Sequence, residues 1–247
     1  MKQIVHFLVQ LLIAVTMSLS AQQEFVVNSF KEVIISPYIE TTFVKADTER
    51  VVVNSSTVPI IKVNVEVNGK TLRVYLDDAK DIPKNKKVKK DNYKYKEPIY
   101  KGTVLNITVY YKDLQLVSIR GDENTLFKSP ISQEKFKLKL YGESDVIINK
   151  LDLEEFKVTL YGDSELKVNK GKTPEQRILV YGEGDVDLMC VENGSSKLTA
   201  YGETEFKINA IQRIKFTAYG ESILRYKGNP DIDKGLSLGE SKIYQLQ

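Results

Sequence analysis

The chain has 247 residues, with 36 Lys+Arg against 33 Asp+Glu, one histidine, one cysteine and no tryptophan. A net charge of +3 gives no case for a nucleic-acid surface, and a lone cysteine cannot form an internal disulfide. The only histidine, His6, falls in a leader segment, so the remaining chain has no Ser–His or Cys–His pair, no histidine general base and no histidine metal ligand.

Lys2 supplies a positive start, Ile4 to Met17 an apolar core, and Ser18-Leu19-Ser20-Ala21 a small-residue cleavage site. Residues 1–21 therefore read as a secretory signal, cut after Ser20 or after Ala21. The apolar run is short for a membrane span, and no cysteine near the cut offers a site for lipid. The mature chain is expected to be exported, to the periplasm, the outer surface or the exterior, without a transmembrane segment. Cys190, between Met189 and Val191, reads as a small buried hydrophobe.

Residues 22–116 form a first block of strands. Val33-Ile34-Ile35, Thr42-Phe43-Val44 and Val51-Val52-Val53 are short β-branched runs between polar turns. Residues 61–67 alternate cleanly, and Asn68-Gly69 predicts a two-residue hairpin turn into Leu72-Arg73-Val74-Tyr75-Leu76. Residues 80–101 then break the pattern with nine lysines, Pro83 and Pro98. They read as a solvated loop; the functional alternative is a patch for acidic polysaccharide or lipopolysaccharide phosphate. Val104 to Tyr111 resumes as an alternating strand, and Leu114 to Ile119 leads onward. No stretch shows helical periodicity.

Residues 117–247 repeat. Five times a tyrosine, a glycine and an acid follow one another, at Tyr141, Tyr161, Tyr181, Tyr201 and Tyr219; Arg120-Gly121-Asp122 and Leu238-Gly239-Glu240 are degenerate copies. The glycines are 21, 20, 20, 20, 18 and 19 residues apart. A period of that length marks a solenoid, whose units fold only when stacked. Four residues before each glycine stand Leu138, Val158, Ile178, Leu198 and Phe216; two before, Leu140, Leu160, Val180, Ala200 and Ala218. Four after stand Val146, Leu166, Val186, Phe206 and Leu224, and six after, Ile148, Val168, Leu188, Ile208 and Tyr226. Period-2 apolar positions on both sides of the glycine give two strands per coil, each with one face inward. The fold class is all-β: a parallel β-helix with coils of about 20 residues, capped or continued by the N-terminal block, so that 22–247 reads as one elongated unit.

The corners follow the same logic. The glycine permits a bend needing positive φ or close approach. Ser144, Ser164, Thr204 and Ser222, two residues on, can turn inward to bond the backbone. Asn149, Asn169 and Asn209 mark a second corner, read as left-handed turn positions. Outside, the tyrosine row lies beside an acid row of Glu143, Asp163, Glu183, Glu203 and Glu221, continued by Glu240. A second acid row holds Asp145, Glu165, Asp185 and Glu205, and a basic row Lys137, Lys157, Arg177, Lys197 and Lys215. Like charges one coil apart repel, by about 1 kcal/mol or less per exposed pair. The acid rows therefore call for nearby lysines or an external cation.

The Gly-acid-Ser corners Gly142-Glu143-Ser144, Gly162-Asp163-Ser164 and Gly220-Glu221-Ser222 resemble those of the auto-transporter adhesin, head GIN domain family of exported bacterial proteins. The lead-in Thr103 to Val109 and the opening block Phe30 to Asp77, with its Asn68-Gly69-Lys70-Thr71-Leu72 hairpin, are similar too. The resemblance implies a right-handed parallel β-helix at the cell envelope and supplies no catalytic residue. The family's corners more often read Ser-Gly-Ser-Gly-Asp; here tyrosine and an acid replace the serines.

The expectation is thus a non-enzymatic surface protein, an adhesin or scaffold, that binds a glycan or another envelope component. The candidate binding residues are Tyr141, Tyr161, Tyr181, Tyr201 and Tyr219 with Glu143, Asp163, Glu183, Glu203 and Glu221, tyrosine rings stacking on sugar faces while acids accept hydroxyl hydrogen bonds. Alternatively these rows are structural ladders only. A polysaccharide lyase or carboxylate-type hydrolase is the competing class. Its two carboxyls about 5 Å apart would fit any adjacent pair in the row, and that lack of a distinguished pair argues against it. No cofactor is expected, and calcium binding by the acid rows at most weakly. The last strand, Ser241 to Leu246, is a candidate cap or an edge for homo-oligomer formation.

Overall fold

A computed structural model describes residues 22–90 and 93–247; residues 1–21, expected to be a secretory signal, lie outside the described residues. Among the described residues there is no α-helix, only a short 3-10 turn at Ile60–Lys62. The chain opens with β1 (Gln23–Val26), then lays down a first coil as β2 (Glu32–Ile35) and β3 (Ile39–Lys45). Next come β4 (Arg50–Ser56), β5 (Val63–Asn68), β6 (Thr71–Leu76), β7 (Asn85–Lys90), β8 (Tyr93–Pro98) and β9 (Leu105–Tyr111).

Spatial order departs from chain order here. β6 pairs in parallel with β2, and β9 with β3, so these later strands form a layer against the first coil. Beyond them β5 pairs antiparallel with β6, β4 antiparallel with β9, and β1 antiparallel with β4. The block therefore both continues the stack and ends it: the main sheet terminates on this side at β1 and β5. Of these antiparallel pairs only β5–β6 closes with a short turn; β4–β9 and β1–β4 join strands far apart in the chain. The β5–β6 turn falls one residue later than the sequence suggests. Asn68 still pairs with Thr71, and Gly69 takes φ 62° at the first of two loop positions, the geometry that places glycine there.

On the other side of the first coil lie β10 (Leu116–Arg120) and β11 (Thr125–Phe127), parallel to β2 and β3. The chain then climbs one coil at a time through β12 (Ile131–Gly142), β13 (Asp145–Ile148), β14 (Leu151–Val168), β15 (Gly171–Tyr219), β16 (Ser222–Lys227), β17 (Asp231–Leu238) and β18 (Ser241–Gln245). The stack is a β-solenoid of about six turns. Its pairings are parallel and in register, with Tyr141 on Tyr161 on Tyr181 and Gly142 on Gly162 on Gly182. Extended backbone continues round the corners, so β14 and β15 each run through more than one side of a coil.

Each coil has three sides rather than the two expected. Residues 131–133 pair with 151–153 along the additional side, with Ile131, Leu151, Leu153 and Val191 turned inward and buried. The inward rows read from sequence are buried throughout except for the partly buried Tyr226. A further inward row, six residues before each glycine, holds Phe136, Phe156, Gln176, Ser196 and Ile214. Phe136 stacks on Phe156 at 5.9 Å, and the aromatic line continues through Phe127 to Phe43 in the first coil. The corner between Leu188 and Val191 breaks the alternation: both are buried three residues apart, and Cys190 between them is exposed, contrary to the buried position expected for it.

The corner glycines are required for both reasons anticipated. Gly142 through Gly239 in this series hold φ between 108° and 130°, and a Cβ on any of them would lie 2.2–2.6 Å from the carbonyl oxygen of the glycine one coil below. Backbone stands where a side chain would go. At the second corner the asparagines do not adopt positive φ. They ladder instead: Asn169 donates to the Asn149 carbonyl oxygen at 3.2 Å, and Asn149 donates to the Lys128 carbonyl at 3.1 Å.

Candidate functional site

The glycine bend divides the outer surface of the repeats. Before the bend, alternation sends three rows outward: the basic row, then Lys139, Thr159, Leu179, Thr199 and Thr217, then the tyrosines. After it come the two acid rows. The five tyrosines form one offset stack, with ring centroids 4.9, 5.0, 5.0 and 4.7 Å apart and planes within 7° of parallel. Each neighbouring pair contributes about 0.5–1.5 kcal/mol. Arg120, in register before Tyr141, places its guanidinium 5.8 Å from that ring and is anchored by Asp81 at 2.8 Å.

Tyr161, Tyr181 and Tyr201 are 38%, 37% and 40% exposed. Because the rings lie on one another, the interior of the ladder turns edges and hydroxyls to solvent rather than open faces. None of the five hydroxyls bonds to protein among the described residues. A groove of about 360 Å³ runs between the tyrosine and basic rows, lined by Lys157, Thr159, Arg177, Lys197, Thr199 and Tyr201 among others. The sequence placed the tyrosines and lysines correctly as outward; their sharing one face, with a threonine-rich row between, follows from the same period-2 spacing.

The acid rows differ from one another. In the second, Lys207 reaches Asp185 at 2.9 Å and Glu205 at 3.2 Å, and Arg225 reaches Glu205 at 2.5 Å. The Arg225 hydrogen bond holds the Glu205 carboxyl below its usual range, and the bond to Asp185 raises Lys207. This is the lysine compensation anticipated for the rows. In the first row, Glu143, Asp163, Glu183, Glu203 and Glu221 make no ion pair among the described residues; all but Glu143 line an open groove of about 480 Å³ with the second row. No group of three or more Asp, Glu, His or Cys among the described residues is arranged to hold a metal ion. The inward serines behave unevenly: Ser164 donates to the Gly142 carbonyl at 3.0 Å, while the Ser144 and Thr204 hydroxyls are buried without a partner.

Two features escaped the sequence reading. At the first corner the small inward residue is replaced by Glu123, which is buried and accepts the Tyr38 amide at 2.9 Å and the Asp122 amide at 3.2 Å. Burial pushes its carboxyl above the ordinary range. The second is the lysine segment, which is not a loop: β7 and β8 form a separate two-stranded antiparallel sheet. The signal was present in Tyr93-Lys94-Tyr95-Lys96, a period-2 alternation. At the far end of the rod β17 and β18 each pair on one side only, with Leu236 and Leu238 exposed beside them.

The chain matches the family described as "Putative auto-transporter adhesin, head GIN domain" over residues 29–230. No curated protein matches it. Among solved structures, a putative adhesin from Bacteroides fragilis superposes with a TM-score of 0.76 at 15% identity, covering 91% of this chain and 96% of that one. Putative adhesins from Parabacteroides distasonis and Parabacteroides merdae superpose with TM-scores of 0.64 and 0.63 at 17% and 14% identity, each covering 92% of this chain and 96% of the other. At these identities the likeness establishes the shared fold.

Proposed function

The chain belongs to the auto-transporter adhesin, head GIN domain family, and we propose that it is an exported, non-enzymatic surface protein that holds an extended glycan along its tyrosine face. Membership supports the surface, adhesin-like role. The observation that carries the ligand is the unbroken five-ring ladder, whose unpartnered hydroxyls face solvent beside Thr159, Thr199, Arg177 and Lys197 on one side and Glu183 and Glu203 on the other. A sugar chain lying along the rod would meet the same donors and acceptors at every coil, about 4.8 Å apart. The rings already use their faces on each other, so recognition runs through hydroxyls and ring edges rather than through stacking.

Catalysis is disfavoured by the same regularity. Each adjacent carboxylate pair in the first acid row repeats the one before it, and all five acids are exposed, so none is set apart by burial. A hydrolytic site needs one pair with two distinct roles.

The test is a glycan-array screen of the chain without its leader, beside a Tyr181→Phe/Tyr201→Phe variant. Phenylalanine keeps the stack and removes only the hydroxyls, so folding is preserved. A glycan bound by the parent and weakened about tenfold or more in the variant, as loss of two hydrogen bonds predicts, is the expected result. Binding that the variant retains in full would return the row to a structural ladder.

A further inference from the structure

The β7–β8 hairpin carries an arrangement that the repeat face does not explain. Its register sets Lys87 directly opposite Lys96 and Lys89 directly opposite Lys94. Since residues two apart share a face, these four lysines lie on one side of the ribbon as a two-by-two array, about 5 Å across the strands and about 7 Å along them. All four are exposed, and none has an ion-pair partner among the described residues. Like charges set opposite one another weaken a strand pair, and a lone two-stranded hairpin is only marginally stable in water. This face has a reason to shed its charge and, among the described residues, carries no carboxylate with which to do so.

The base of the same segment is treated differently. Lys80 is paired with Glu66 at 3.1 Å and Lys84 with Asp78 at 2.7 Å, while Asp81 holds both Arg73 and Arg120. On the ribbon's other face Lys86 meets Glu97 at 3.6 Å, and Val88 stands opposite Tyr95. Cations close to the body of the protein are compensated; those on the outer ribbon face are not. Tyr93, 79% exposed, stands opposite Lys90 and so shares the other face with Val88 and Tyr95. Ammoniums set side by side on one exposed face suit a membrane surface, where amines meet phosphates.

We infer that the lysine face of the β7–β8 hairpin is a docking site for a membrane surface bearing anionic phosphate headgroups, separate from the tyrosine face. A flat array of four point charges fits many phosphates in a plane better than a single one.

The experiment is co-sedimentation of the chain without its leader with phosphatidylcholine vesicles that contain or lack phosphatidylglycerol, at low and high salt. A heparin column run alongside supplies the polysaccharide arm. Binding is expected only to vesicles with phosphatidylglycerol, and it should fall with salt. A Lys89→Gln/Lys94→Gln variant should bind them about thirtyfold more weakly, each lysine near an anionic surface being worth about fivefold. Both substitutions are on the protruding ribbon, outside the solenoid core. The inference is overturned if phosphatidylglycerol vesicles are not bound at low salt, or are bound equally by the lysine variant. Heparin retention without vesicle binding would overturn it in favour of a polysaccharide.

Discussion

In the repeat stack whole rows of outward side chains repeat from coil to coil, Tyr161 on Tyr141 and Tyr181 on Tyr161; in the N-terminal block no strand has a copy, and β6 and β9 reach their layer out of chain order. The difference governs what each region can do. Rows multiply one weak contact along an axis and give no position a chemistry of its own. The block places residues singly, so an uncompensated array such as Lys87, Lys89, Lys94 and Lys96 can occur once, and the one buried corner carboxylate, Glu123, stands where the repeats meet the block at Tyr38. Extended ligands suit the first region and discrete contacts the second.

The sharpest way to break this contrast is to make one substitution in both regions. Gly162→Ala puts a Cβ 2.3 Å from the Gly142 carbonyl oxygen at φ 114°. The neighbour is backbone held by its own ladder, so the expected loss in urea unfolding is roughly 2–5 kcal/mol. Gly69→Ala in the β5–β6 turn has nothing within 4 Å of the added carbon at φ 62°, and should cost about 1–2 kcal/mol. Equal losses would mean that close stacking is not what the corner glycines serve.

Acid–base behaviour should separate the regions next. Burial raises the Glu123 carboxyl above its ordinary 4.5, although the Tyr38 and Asp122 amides pull the other way. The native state then holds this proton more tightly than the unfolded chain. Its contribution to stability is full below about pH 4.5 and is lost as pH rises through the native value. Glu123→Gln keeps an acceptor for the Tyr38 amide and cannot ionise. Plotted against pH, the stability of the variant relative to the parent should rise across that window; a flat difference would contradict the assignment. The matching corner residue Ser164 gives no such slope, having nothing to titrate.

The smallest effect is expected at Tyr111, in the block's core. Its ring is buried, its hydroxyl has no partner, and burial pushes its pKa up to about 12. Removing an unpaired buried hydroxyl by Tyr111→Phe should be neutral or stabilising by about 1 kcal/mol, read as an unchanged or raised urea midpoint. A clear loss of stability would point to a missing partner for that hydroxyl.

The same contrast explains what could be read from the chain itself. The Tyr-Gly-acid corners and four inward rows were legible because every coil states them again, and the family resemblance pointed to the same fold. The third side was not, because its inward residues change in kind. Its buried Leu153 gives way to buried Thr173 one coil on, and in the adjoining row Phe136 and Phe156 become Gln176 and Ser196, where Gln176 donates to the Ser196 hydroxyl at 2.8 Å, Ser196 to Asn193 at 2.6 Å, and Asn193 to the Thr173 carbonyl at 2.8 Å. A hydrogen-bonded polar cluster, with the Gln176 side-chain oxygen left unpartnered, fills the space of two rings, and hydropathy alone reads it as surface. The block's spatial order was hidden for another reason: β6 and β9 show where strands begin and end, while their partners are fixed by long-range pairing. Of the candidate site, alternation gave which residues face outward. The stacking of the tyrosine rings on one another was one of the two readings that the repeat left open for the row.

The account's central claim is that the tyrosine face binds glycan independently of the block. The direct measurement is the affinity of one array-selected glycan for three chains: the parent, Tyr181→Phe/Tyr201→Phe, and Lys89→Gln/Lys94→Gln. The account predicts a loss of about tenfold or more in the tyrosine variant and none in the lysine variant. Loss confined to the lysine variant would contradict it and place glycan recognition on the hairpin.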